Sequence, residues 1–306
     1  MQPAAETPVE DFESLFHGHP KDIEQRFIAL RPKAADHPDL TLAPRIEARI
    51  ALTQAMQGRH DEASRTLCLA EAMPGATQPS AAICLLMEQA RLLHQAKKVA
   101  DAHPLFIKAF NFAHQHSMDG PAVDAAHMVA ITATEPATKV LWNETALNLA
   151  RSSADPKATA WISVLYNNLA QAFIADSQFT AAQNAFSTCR ELAVAENNSI
   201  VERGARWGIA RALRSLGQTA DALTMQQQVL SEYNQLEQTG ALPVELIRMG
   251  RGLVHEELAH LSSTEAPTHA ARALEDLKSL EWWNDAEYYA RWSILDEIAR
   301  RLQDTP

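Results

Sequence analysis

Trp207, Arg211 and Arg214 stand at i, i+4 and i+7, which places them on one stripe of a helix. A guanidinium fork matches the geometry of a carboxylate or a phosphate, and an indole one turn earlier sets a flat apolar surface beside the charge. Such a stripe suits recognition of an extended segment carrying acidic groups or ending in a carboxylate, rather than bond cleavage. Other chemistry has thin support. The twelve histidines come closest to one another as His17/His19, His114/His116 and His255/His260. No pair has i, i+4 spacing with a third ligand at hand, so no metal site is expected. The glycines stand singly or at turns and form no phosphate-cradling loop. No Ser or Cys lies on a nucleophile elbow, and the Glu256-Glu257 pair has no evident pKa-shifting surroundings. The chain is therefore expected to have no catalytic residues and no cofactor.

The elements that would position such side chains are helices in pairs. From Trp161 to Ala195, Leu165, Leu169 and Phe173 recur at helical spacing, then Phe179, Ala182, Phe186 and Cys189 do so, with Asp176-Ser177 as the break. Ala170 and Ala182, twelve apart, fall where two backbones must approach closely. The same small-residue pair returns as Ala51/Ala63, Ala90/Ala102, Ala210/Ala222 and Ala259/Ala271, with a degenerate unit around Ala130 and Trp142. The first members are separated by 39, 40, 40, 40 and 49 residues. Pro74-Gly75, Asp119-Gly120-Pro121, Asp155-Pro156, Asn197-Asn198-Ser199 and Gly240 punctuate the chain at the same period. One hairpin cannot bury its own apolar face, so a period of about forty predicts stacked units.

This pattern resembles the tetratricopeptide repeat family. Tyr166, Leu169-Ala170, Phe173, Ala182, Phe186 and Cys189 occupy the places where that family has its aromatic, small and apolar signature residues. The resemblance implies an all-α, right-handed α-solenoid of about six helix hairpins, with N-terminal helices and a C-terminal capping helix. It also implies that the first helix of each hairpin lines a concave groove through its fifth, ninth and twelfth residues. On that basis the groove-facing residues are Arg91 and His94, His127, Asn167 with its neighbour Asn168, Gln171, Trp207, Arg211, Arg214, Glu256 and His260. Three arginines and few acids in the groove of an acidic chain again suggest an acidic ligand.

The remaining features bound the answer. The net charge is −11, which disfavours nonspecific nucleic-acid binding and attraction to anionic membrane. No run approaches the length of a membrane span, and the first sixteen residues lack the basic and apolar regions of a secretory signal. Three cysteines with no CxxC spacing fit a reducing compartment, so a cytoplasmic location is expected. Residues 1–43 are expected to form a disordered tail over 1–8, short helices near 8–16 and 21–30, and a proline-bearing linker over 31–44. Residues 44–280 form the repeat array, and 281–306 an aromatic cap. Trp282, Trp283, Tyr288, Tyr289 and Trp292 make that cap the most aromatic stretch, suited to sealing the last hairpin or to homo-oligomer contact. The expected function is a non-enzymatic scaffold holding a protein or peptide segment. The alternative is a regulator in which a small peptide or anionic metabolite in the groove modulates contact with a partner protein.

Overall fold

A computed structural model describes the backbone of residues 9–262, 264–280 and 286–300, and the side chains of all of these except 286–292. The described residues are helical throughout, with no strand. A 3-10 helix, Val9–Leu15, is followed by α1 (Pro20–Ala35), α2 (Leu42–Met56), α3 (His60–Glu71), α4 (Pro79–Gln95), α5 (Val99–Gln115), α6 (Asp119–Thr132), α7 (Pro136–Ser152) and the single turn α8 (Pro156–Thr159). Then come α9 (Ile162–Ala175), α10 (Phe179–Ala195), α11 (Ser199–Ser215), α12 (Thr219–Thr239), α13 (Val244–Leu261), α14 (Ala266–Lys278) and α15 (Ala286–Arg300). The chain divides into two compact units, residues 1–165 and 166–306.

The small residues expected at the helix contacts are where they were expected. Ala51, Ala63, Ala90, Ala102, Ala170, Ala182, Ala210 and Ala222 are all fully buried. In the first unit Ala90, Ala102 and Phe106 share a core with Ile83, Met87 and Val129, and Trp142 meets Phe110 edge-on at 5.1 Å. In the second unit Ala170, Phe186, Ala210 and Ala222 share another. There Gly208 on α11 lies so near the Phe186 ring that an added Cβ would come within 2.4 Å of it, so the close-packing role of this glycine is explicit. The sixth pair departs by one place, since Ala270 is buried whereas Ala271 is exposed. Between α13 and α14 the chain leaves the helix through an extended Ser262 rather than through the left-handed residue that most of the hairpin turns use.

Six of the turns share one backbone solution. The connectors 57–59, 96–98, 116–118, 176–178, 196–198 and 216–218 each have a left-handed central residue: Gly58, Lys97, Ser117, Ser177, Asn197 and Gly217. In each, the next residue's N–H donates to the carbonyl five residues back, as Gln178 does to Phe173 at 2.8 Å and Gln218 to Leu213 at 2.9 Å. This is the Schellman closure, which ends one helix and turns the chain into the next within three residues.

The N-terminal segment differs from expectation. Residues 31–44 are not a linker, because α1 continues to Ala35 and α2 begins at Leu42. Pro32 removes one helical donor, but Arg31 forks onto Glu47 of α2 at 2.6 and 2.7 Å, and Leu30 and Ala34 are buried. Those contacts hold the last turn. Pro44 falls in the first turn of α2, where its missing N–H has no helical partner to lose. Val9 and Phe12 of the 3-10 helix pack with Phe27, Leu42 and Ile46, sealing the start of the first unit. At the other end, Leu295 of α15 is buried with Leu274, Leu277 and Leu280. Residues 1–8, Trp282 and Trp283, and the side chains of Tyr288, Tyr289 and Trp292, lie outside the described residues, as do the expectations placed on them.

The shared turn makes a testable claim. Left-handed backbone costs a residue with a side chain roughly 1–2 kcal/mol, part of which glycine returns as unfolded-state entropy. Lys97→Gly and Ser177→Gly should therefore each raise stability by about 0.5–1 kcal/mol in chemical denaturation, whereas Gly217→Ala should lower it.

Candidate functional site

Two arrays of polar side chains stand on the first helices of the hairpins, one in each unit. In the second unit they rise from α9, α11 and α13. Arg214 donates to both oxygens of Glu257, at 2.7 and 3.3 Å, and Arg211 lies 3.5 Å from the same carboxylate. Arg211 also donates to the Gln171 amide oxygen at 2.9 Å, and its guanidinium sits 5.6 Å above the Trp207 ring. The indole N–H of Trp207 is anchored on the Leu253 carbonyl at 3.1 Å. The expected neighbours Gln171, Trp207, Arg211 and Arg214 are thus brought together. Asn167 and Asn168, bonded to each other at 3.2 Å, lie one turn earlier on α9. Glu256 is buried and His260 exposed on α13.

What the sequence pattern did not suggest is the acid among them. Glu257 is only 4% exposed, and two guanidiniums share it. A buried carboxylate is tolerable only when so paired. Each arginine keeps about a third of its side chain exposed, so the face still presents cationic donors.

In the first unit a cavity of about 560 Å³ opens between α2, α4, α6 and α8. An alternating row of charges crosses its wall. Glu13, from the 3-10 helix, accepts from Arg49 of α2 through both oxygens at 3.1 Å; Arg49 donates onward to Glu88 of α4. Glu88 also accepts from Arg91 at 2.6 Å, and Arg91 reaches Asp124 of α6. Glu88 is fully buried beneath the two guanidiniums. Burial by itself would lower the Arg91 pKa, but the Asp124 and Glu88 carboxylates outweigh it and hold the charge firmly. Arg91 therefore faces this cavity, while His127 lies beside Trp161, ring centroids 5.3 Å apart. Burial keeps the His127 pKa low, so the ring is neutral near pH 7. Burial also pushes the Cys84 thiol up to about 11, which leaves no thiolate nucleophile there. His94 is half-buried one turn beyond Arg91.

Arg45, Arg49, Glu88, Asp124 and Glu257 were not among the expected site residues. Counted in the register that makes Arg91 a ninth residue and His127 and Glu256 fifth residues, they stand at second or sixth places, outside the fifth, ninth and twelfth places that the family resemblance marks. Their one sequence signal is a charge inside an otherwise apolar stripe, as with Glu88 between Met87 and Ala90.

Among the described residues, no group of three or more His, Cys, Asp or Glu is arranged to hold a metal ion, and no helix is long and apolar enough to cross a membrane. His255 pairs with His269 of α14, Nδ1 to Nδ1 at 2.9 Å, rather than with His260. Burial, then His269, Arg272 and Arg251, bring its pKa down to about 3.

No sequence-family model and no curated protein matches the chain. Solved structures do match in three dimensions. The apo form of RapI superposes with a TM-score of 0.64 at 12% identity, covering 94% of this chain and 79% of that one. A Rap protein complexed with Competence and Sporulation Factor gives 0.60 at 11%, covering 96% and 85%. The structure of NprR in complex with its cognate peptide NprX gives 0.59 at 12%, covering 97% and 84%. The fold is accordingly the tetratricopeptide-repeat type, an all-α solenoid of helix hairpins.

The His255 geometry sets a pH dependence. The unfolded chain takes up that proton near pH 6.5 and the folded chain only near 3, so stability falls as pH drops through that window. At about 1.4 kcal/mol per unit, the loss reaches on the order of 3 kcal/mol. Denaturation curves between pH 7 and 4 should show it, and His255→Gln should flatten the slope. In the other unit, Glu88→Ala removes the buried carboxylate that Arg49 and Arg91 share, leaving each with a single acidic partner, and should cost roughly 3 kcal/mol by the same measurement.

Proposed function

We propose that this protein is a non-enzymatic peptide-binding scaffold, and that in its second unit the α9, α11 and α13 face holds an extended protein or peptide segment. The observation that carries this reading is the array of Trp207, Arg211 and Arg214 with Gln171. It combines an aromatic surface, two part-exposed guanidiniums and an amide on three neighbouring helices. Asn167, Asn168, Glu256 and His260 flank it. Arg91, His94 and His127 are the counterparts in the first unit. Amides suit a peptide backbone, and guanidiniums suit its carboxylates.

Two arginines share the one Glu257 carboxylate, which supports a preference for acidic side chains or a free carboxylate in the ligand. The same fold in NprR is seen with its cognate peptide, which supports peptide as the ligand class. The net charge of −11 argues against nucleic acid. The three free cysteines fit a reducing, cytoplasmic setting. An extended peptide loses conformational entropy on binding, so affinity in the micromolar range is expected.

The decisive variant has to remove the charges together, since truncating the arginines alone would leave Glu257 buried and unpaired. Arg211→Ala, Arg214→Ala and Glu257→Gln combined should preserve helical content while weakening capture of acidic peptides from a peptide array at least tenfold. If the triple variant retains the same peptides with equal affinity, this face is not the binding site.

A further inference from the structure

The cavity of the first unit contains more hydrogen-bond donors than the protein uses. Arg45, Arg49 and Arg91 line it together with Lys157. A guanidinium has five N–H donors and an ammonium three. Arg49 makes three hydrogen bonds, two to Glu13 and one to Glu88, and Arg91 makes two, to Glu88 and Asp124. Arg45 makes none among the described residues: it lies 4.8 Å over the Phe12 ring, and its nearest carboxylate, on Glu13, is 3.9 Å away. The Lys157 ammonium has no carboxylate partner among the described residues. Arg45, Arg49 and Arg91 nonetheless keep 17–18% of their side chains exposed, so their spare donors can be reached.

The charges on the wall say how much anion this surplus can take. Asp155 is matched by main-chain donors, the N–H groups of Gly120 at 3.2 Å and Lys157 at 2.9 Å. Asp155 therefore makes no claim on the side-chain donors. Counting its charge, four cations face four carboxylates and the wall is neutral overall, while Arg45 and Lys157 keep donors that no carboxylate among the described residues takes up at short range. His127 adds no charge, because burial keeps it neutral. On a neutral wall a carboxylate adds one negative charge and a phosphate dianion about two, so a single carboxylate on the spare donors is the less costly guest. Met87, Met118 and Trp161 supply an apolar side to the same space. Its 560 Å³ falls in the range of small-molecule pockets.

We propose that this cavity binds the carboxylate of a small ligand with an apolar body, gripped by Arg45, Arg49, Arg91 and Lys157. The carboxylate belongs to a chain terminus or to an acidic side chain. The site goes beyond the peptide reading, because Arg45, Arg49 and Lys157 lie in the other unit from Arg211 and Arg214.

The test is titration of the full chain with four probes, followed by calorimetry and by the indole N–H resonance of Trp161, identified by its loss in Trp161→Phe. N-acetyl-leucine presents a terminal carboxylate, and N-acetyl-aspartyl methylamide a side-chain one. N-acetyl-leucine amide has no carboxylate, and the fourth probe is inorganic phosphate. One or both carboxylates should bind and shift the indole resonance, the stronger of the two identifying the source. The amide should bind at least tenfold more weakly, and phosphate no better than the amide. Arg45→Gln and Lys157→Gln, neither of which breaks a short ion pair, should each weaken the carboxylate at least fivefold. The triple variant at Arg211, Arg214 and Glu257 should bind it as the native chain does, so that loss of peptide capture and loss of this site are read separately. Equal binding of acid and amide, tighter binding of phosphate, an unmoved Trp161, or wild-type affinity in both glutamine variants would each overturn the proposal.

Discussion

Close approach of helices within each hairpin is the constraint from which the structure follows. Ala51 with Ala63, Ala90 with Ala102, Ala170 with Ala182 and Ala210 with Ala222 bury both partners completely. A larger side chain at any of these places would push the two backbones apart and open voids beside Phe106 or Phe186, which are themselves fully buried. Gly208 is the extreme case, where the face of α11 meets an aromatic ring with no room for a methyl group. Spacing the small residues twelve apart works because a three-residue connector with one left-handed residue places the second helix at a fixed rotation. Where the connector changes, as between α13 and α14, the buried alanine moves by one position.

The second organising interaction is the sharing of a buried carboxylate by two arginines, with at least one ion pair crossing from one first helix to the next. Glu88 lies under Arg49 and Arg91, and Glu257 under Arg211 and Arg214. Each carboxylate is expensive to bury, and two guanidiniums of opposite charge offset that cost. The pairing orients the guanidiniums and leaves part of their hydrogen-bonding capacity facing outward. As the proposed binding faces, these arrays would be pre-organised, since the side-chain entropy of the arginines is largely spent before a ligand arrives. The same pairing would tie the proposed recognition to stability within each unit, so that substitutions at the arginines would act on both.

The N-terminal helices show how tertiary contacts overrule local punctuation. Three prolines between residues 32 and 44 read as a linker, yet α1 runs through Pro32 because Arg31 is locked onto Glu47 and Leu30 and Ala34 are buried. A proline costs a helix one hydrogen bond, and a two-pronged ion pair with apolar burial offsets that loss.

The sequence alone determined the helix pairs, their period and their contact residues, because each depends on spacing within a few turns of one chain. Helical periodicity marked Leu165, Leu169 and Phe186, and small residues marked the crossings. It also placed Trp207, Arg211 and Arg214 on one stripe, since residues four apart on a helix must be neighbours. Only the tertiary structure decided which charges meet across helices. Arg91 and Asp124 lie 33 residues apart, and Arg214 and Glu257 lie 43 apart. Their encounter depends on helix rotation and on the length of each connector, which no local pattern encodes. The cavity of the first unit, and the part Arg45 and Arg49 play in it, arose the same way, from helices contributing side chains beside the places that periodicity had marked.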